Sequence, residues 1–464
     1  MRFKVILVTL SALGIFVPFA QPGHAAELPD PASIADLTDA HYHLRGVGER
    51  ELTLDLASAR SLAELQAQLA AWGKAHPDAD WLIGRGWIET HYDPPVFPTR
   101  QDLDAVVLDR PVYLTRADGH AGVANTRALV LAGIDRDTEA PFGGEILTDA
   151  AGEPNGMLID NAQELVQQHI PAAGRPGMRE ALRVGGEVAA RQGWATLHTI
   201  VNDWPEVEAL RQLYREGHMP VRNYVAVRWP SSGADYLLEH GPMVGEFDDR
   251  LTIRAIKINL DGALGSRGAA LLEPYADDPG NTGLLTHTPA ELRPVLERAL
   301  RSGIQVWTHA IGDRANRLAL DLYEEAFDNV PLAERAVPDP RWRIEHAQHL
   351  TAEDIPRFAA LGVIASIQPS HAIGDLHFAA RRLGIKRLRY AYAWRDLLDA
   401  GAIVIGGSDA PVEVGDPRIE FHAAITRTDL DGYSGPGWHP EQAFTLEEAV
   451  KLFTEWPAYA AFER

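Results

Sequence analysis

The stretch MREALRVGGEVAARQGWATLHTIV, Met178 to Val201, decides the fold. Its first part reads as a helix ending at Gly193, and WATLHTIV as a short apolar strand. The same rhythm then recurs. EVEALRQLYREG is a helix and VRNYVAV a strand, followed after a loop by the strand LTIRAIKINLDG. PAELRPVLERALRSG leads to IQVWTHA, ANRLALDLYEEAF to RWRIEHAQ, TAEDIPRFAALG to VIASIQPSH, and YAWRDLLDAG to AIVIGGSDAPV. With a strand just before His41, these make eight strands, most preceded by a helix that ends at or near Gly, as expected of a parallel sheet. Eight such units predict a (β/α)8 TIM barrel, whose active site forms at the C-terminal ends of its strands. An open doubly wound sheet is the alternative. No GxGxxG follows an early strand, so a dinucleotide fold has little support.

Upstream, DAHYHLRG (Asp39–Gly46) sets His41 and His43 one residue apart after the first strand. Residues i and i+2 of a strand point the same way, so both imidazoles could reach one ion, although HxH alone is a weak signal. From there to about Pro176 the pattern is different. SLAELQAQLAAWGKAHP is helical, HYDPPVFPTR is punctuation, RPVYLTRADGHAGVANTRALVLAGI is a strand and then a helix, and EAPFGGEILTDAAGEPNGML is rich in Gly and Pro. This is too long for a loop and reads as an inserted subdomain over about 60–175.

The 464 residues, 46% hydrophobic and 23% charged, suit one large barrel or two to three smaller domains. A net charge of −22 would repel phosphates, which argues against nucleic acid or an anionic membrane surface as partner. The chain has no cysteine, so it uses neither disulfides nor thiolates, and any metal must be held by nitrogen and oxygen donors. The N-terminus carries Arg2 and Lys4, an apolar run from Val5 to Ala20, and small residues around Gly23-His24-Ala25. Residues 1–25 therefore read as a signal peptide rather than an anchor, since the run is short and contains Pro18. The mature protein is expected to be periplasmic or secreted and free of the membrane.

Polar residues recur at the ends of the barrel strands. Beyond His41 and His43 they are Lys257 in KINLDGALGSRG, His309 in THAIGDRA, His346 in RIEHAQ and Asp409 in GGSDAPV. Each has a bland reading. A strand-end histidine can cap a carbonyl, Asp409 a helix, and Lys257 can pair with Asp261. Together they face one mouth, and that coincidence is hard to produce by chance.

At these motifs, DAHYHL, KINLDGALGSRG, HAIGDRA, RIEHAQH and GSDAPV, the sequence resembles the amidohydrolase superfamily, specifically amidohydrolase family 3, the branch that includes the N-substituted formamide deformylases. The likeness runs from about Leu37 to the C-terminus. It implies a metal-dependent barrel, over residues 37–464, that hydrolyses an amide or related C–N bond of a small-molecule substrate. It implies that His41, His43 and Asp409 bind a more buried ion and His309 and His346 a second. Lys257, carboxylated by CO₂, would bridge the two, because an ammonium has no lone pair to donate. Asp409 would also move the proton. Zinc is the default for both ions. In the insert, Asp118 and His120 of ADGH fall where the family has a substrate-facing loop. Arg267 and His371 are further candidates for substrate binding, with His198 as a possible lining residue, and each has a structural reading beside it. Trp87 and Trp194 read as packing residues.

One departure concerns the accessory β-sandwich that relatives place beside the barrel. It has no room before Asp39 and is missing after TEWPAYAAFER, so it is expected to be absent. The uncovered face would expose apolar surface, which a homodimer could cover. Two other functions stay open: a mononuclear hydrolase or deaminase with unmodified Lys257, and a non-catalytic ligand-binding barrel disabled by loss of the sandwich.

Overall fold

The computed structural model describes residues 34–171, 177–435 and 438–463. The expected signal peptide, 1–25, lies outside them. The chain begins its barrel with β1 (Thr38–Tyr42) and then builds an insert from β2 (Leu54–Asp55), β3 (Leu82–Trp87), β4 (Val112–Arg116), β5 (Ala121–Ala124), β6 (Gly144–Thr148) and β7 (Pro154–Asp160). It returns with β8 (Thr196–Val201), β9 (Arg222–Arg228), β10 (Met243–Gly245) and β11 (Leu251–Asn259). The last strands are β12 (Gln305–Ala310), β13 (Arg343–His346), β14 (Ile364–Ile367) and β15 (Val404–Gly406).

Strands β1, β8, β9, β11, β12, β13, β14 and β15 are parallel neighbours in that order, the eight strands expected of the barrel, and β10 adds only a short antiparallel edge to β11. The ring closes where the Asp409 amide donates to the His41 carbonyl (2.8 Å) and the His43 amide to the Ala410 carbonyl (2.9 Å). Backbone bonds that seal the barrel thus run through the residues of interest.

The helices fall where the pattern places them: Met178–Gln192, Trp204–Arg215, Pro289–Ser302 with a Thr288/Glu291 capping box, Asp313–Asn329, Ile355–Leu361 and Trp394–Asp399. After His43 the chain makes a further helix, Leu44–Leu52, which packs tightly on Met178–Gln192. A Cβ on Gly48 would sit 1.8 Å from the Ala181 carbonyl oxygen, and one on Gly185 2.0 Å from that of Leu44. Only glycine allows this approach, which fixes the chain just after the paired histidines.

The insert is a mixed six-stranded sheet, ordered β2-β3-β4-β5-β7-β6, with its own core around Leu65, Leu82, Trp87, Leu114 and Val123. It starts ahead of residue 60, because Leu54 and Asp55 already pair with Gly84 and Arg85. Trp87 and Trp194 are buried packing residues, their indole N–H groups satisfied by the carbonyls of Leu114 and Gly415.

The N-terminal ends of the barrel strands are covered from within the chain. There the helix Glu455–Ala460 packs across the opening, Gln305 donates to the Ala460 carbonyl, and Arg341 stacks on Tyr459. Ala461 joins Ile200, Tyr224 and Trp307 in one buried cluster. Among the described residues no helix is long and apolar enough to cross a membrane.

Candidate metal centre

β1 delivers His41, and the turn into the following helix delivers His43. The loop after β15 brings Asp409 against both: its Oδ1 lies 3.3 Å from His41 Nε2 and 2.9 Å from His43 Nε2. On its other side, His41 Nδ1 meets the Glu345 carboxylate at 2.5 Å. Glu345 is in turn held by Arg343, Nε to Oε1 at 2.7 Å. Burial pushes the Glu345 carboxyl up, but Arg343 and His41 outweigh it and hold the group far below the usual range. An ionised Glu345 accepts a hydrogen bond from His41 Nδ1–H, which leaves His41 Nε2 a bare lone pair facing Asp409 Oδ1. Two buried acceptors so close call for a cation between them, and neither atom has a hydrogen-bond partner. Burial, then the charge of Lys257, lowers the His41 pKa, and burial lowers that of His43 to about 4, so both rings are neutral lone-pair donors. This donor set fits a divalent ion.

A second group shares Asp409. Donor atoms of His346, His371 and Asp409 all lie within 4.8 Å of one another, as do those of His41, His43 and Asp409. His371 Nε2 is 3.2 Å from Asp409 Oδ2, and its Nδ1 is 2.8 Å from Glu413. Burial alone would lower the His371 pKa, but Asp409 and Glu413 raise it well above the usual value. Burial pushes Asp409 up, yet His41, His371 and His43 hold it well below the usual range, so it is ionised. His346 (φ 75°) and Asp409 (φ 59°) sit in the left-handed region, which costs a non-glycine residue on the order of 1 kcal/mol or more and is characteristic of functional sites.

His309 and Lys257 border the same cavity but belong to neither compact group. The His309 ring is 4.4 Å from that of His346, and its Nε2 stands 3.4 Å from Asp261 Oδ1. Burial brings the Lys257 pKa down to about 8. Asp261 does not pair with Lys257: it accepts three backbone amides, from Ala270, Ile311 and Gly312. Beside the expected residues, His371 joins the second group, its ring bridging Asp409 and Glu413.

The insert reaches the centre through the β4–β5 turn. His120 Nδ1 pairs with Asp160 at 2.6 Å, and its ring lies 4.9 Å from that of His309. Burial lowers the His120 pKa, but Asp160 more than reverses this. Asp118 is tied to Arg116, which is buried and also bound to Glu89. Arg267 pairs with Asp277 at 3.0 Å and does not line either chamber beside the centre. His198 is structural, buried beneath the centre with Nδ1 accepting from Arg343.

Sequence reasoning missed Glu345, Arg343, Glu413 and Asp39. Asp39 accepts from the amides of His41 and Ser408 and from the Ser408 hydroxyl, tying the first strand to the last. The available signal was charge inside apolar strands: RIEH places Arg343 and Glu345 on one face of a buried strand, where neither is tolerated without a partner.

Barrel, strand-end histidines and shared carboxylate together define a metal-dependent hydrolase. The amidohydrolase family profile matches residues 34–464, and the chain belongs to that family. It is 35% identical over 427 residues to the protein YtcJ of Bacillus subtilis (strain 168), covering 90% of this chain and 78% of that one. It is 26% identical over 450 residues to N-substituted formamide deformylase of Arthrobacter pascens, covering 91% of this chain and 78% of that one. An uncharacterized metal-dependent hydrolase from Pyrococcus horikoshii OT3 superposes with a TM-score of 0.71 at 27% identity, over 92% of this chain and 81% of that one.

Proposed function

We propose that the protein is an exported amidohydrolase that cleaves a C–N bond in a small N-substituted amide, with water as nucleophile. The observation that carries this reading is Asp409, one carboxylate shared by two groups of histidines at the mouth of a closed barrel. When bound, two divalent ions, zinc by default, polarise a carbonyl and make water acidic enough to ionise near neutral pH. Asp409 takes a proton from the attacking water and delivers it to the departing nitrogen, so that the C–N bond breaks to acid and amine. His371, held by Glu413, orients Asp409 through its second oxygen. Lys257, carboxylated by CO₂, adds an anionic donor beside His309 and His346. His120, fixed by Asp160, faces the substrate from the insert. The name of the Arthrobacter pascens relative supports an N-substituted amide, and the charged, then apolar, N-terminus supports a periplasmic or secreted location.

A mononuclear site with unmodified Lys257 is the second reading, favoured by the position of Lys257 and His309 outside the compact groups. Elemental analysis of protein purified without chelator separates the two, with two equivalents of metal and a carboxylated Lys257 expected for the first reading and one equivalent for the second. Hydrolysis is then followed on a panel of N-substituted formamides and acetamides. Full turnover by Asp409→Asn would overturn the proposed role of Asp409.

A further inference from the structure

Two chambers meet at the centre, and His309, His346 and Asp409 border both. The larger holds about 700 Å³ and the smaller about 170 Å³. A scissile bond placed at their junction sends one arm of the substrate into each. The smaller chamber presents Leu264, Ile311 and Phe378, and its one guanidinium, Arg116, is neutralised by Glu89 and Asp118. It suits a compact apolar group.

Three arginines border the larger chamber, and their states differ. Arg45 is held by Glu49 (2.7 Å) and Glu206 (2.5 Å). Arg85 donates to the Ala117 carbonyl at 3.1 Å. The Arg228 guanidinium has no hydrogen bond or ion pair among the described residues. Arg228 ends β9 in register with Lys257 of β11, which sets it at the height of the centre. Its side chain is exposed and borders the larger chamber, and its protein surroundings pull its pKa down. Of the carboxylates whose charge reaches it, Glu206 is committed to Arg45 and Asn202, and exposed Glu164 forms no ion pair with it. A cation that borders a ligand-sized chamber without a counterion is a ready anion site, because a guanidinium matches a carboxylate with two parallel hydrogen bonds.

We propose that Arg228 binds a carboxylate carried on the larger arm of the substrate, so that the enzyme takes amides with an anionic group on one side of the scissile bond and a compact apolar group on the other. This rests on the hydrolase reading above.

The test is equilibrium binding by calorimetry, on metal-loaded and on chelator-treated protein. The probes are ω-phenylalkanoates from phenylacetate to 6-phenylhexanoate and the matching ω-phenylalkanols. At the best chain length the carboxylate is expected to bind about tenfold or more tighter than the alcohol in both states, the worth of a charged hydrogen bond. Arg228→Met is expected to erase most of that preference and Arg228→Lys to keep part of it. A preference that survives in Arg228→Met, one that vanishes with the metal, or no preference at any length up to the solubility limit overturns the proposal. Amide hydrolysis is assayed separately. An inactive protein with an Arg228-dependent preference keeps the anion site and sinks the hydrolase reading, whereas an active one without the preference does the reverse.

Discussion

Barrel and insert build one cavity by different means. In the barrel, His41 is backed by a buried chain, since Arg343 holds Glu345 and Glu345 holds His41, while Asp39 holds both the first strand and Ser408. In the insert, the chemistry hangs on turns, where His120 leans on Asp160 and Asp118 on Arg116, with partial exposure at the cavity. The contrast teaches that the barrel fixes the histidine and carboxylate cluster while the insert supplies part of the cavity wall in front of it. A group chained into the core cannot be changed without cost to stability, while a group on a turn can.

The sharpest way to break this comparison is Asp409→Asn. It keeps the shape and removes the charge shared by both histidine groups, so kcat/KM should fall by on the order of 10²–10⁴ in steady-state assays. Next is Glu345→Gln, which leaves Arg343 buried without its counter-charge. It should cost about 3–5 kcal/mol in urea unfolding and weaken metal binding about 10–100-fold in competition titrations. Its pH dependence has a defined sign. A carboxyl depressed in the folded state contributes stability above its ordinary range, and that stability is lost as pH falls. Wild-type stability should therefore drop more steeply than that of Glu345→Gln below about pH 4. Metal removal comes third. Chelation should lower stability by about 3–4 kcal/mol at saturating metal, read as a fall in Tm that reloading reverses.

The smallest effect belongs to the insert. Asp160→Asn should lower the titration midpoint of His120, seen by imidazole NMR, because the carboxylate that raises it is gone. Stability should change by no more than about 1 kcal/mol. An Asp160→Asn loss as large as that of Glu345→Gln would erase the distinction between the two regions.

The barrel was legible because strand periodicity and strand-end polarity are local features. His41, His43, His346 and Asp409 could each be placed from a few neighbours. The pairing of Asp409 with His371 was not legible, since it depends on how the helix Pro369–Asp375 after β14 is set against the loop after β15. The pairing of Arg267 with Asp277 was not legible for a related reason: both lie in one long loop, whose path no short pattern reveals. Arg228 was passed over because the strand was read as VRNYVAV, ending one residue too soon.

The seam where the ring closes carries a consequence for the life of the chain. Asp39 and Ser408, 369 positions apart, are joined at the same place where Asp409 meets His41 and His43. A nascent chain displays its histidine pair long before the carboxylate that completes the chelate has been synthesised. Until then it offers an open two-toothed ligand that could lose its ion to any stronger competitor. A chain cut short before Asp409 forfeits ring closure and the carboxylate shared by both histidine groups together.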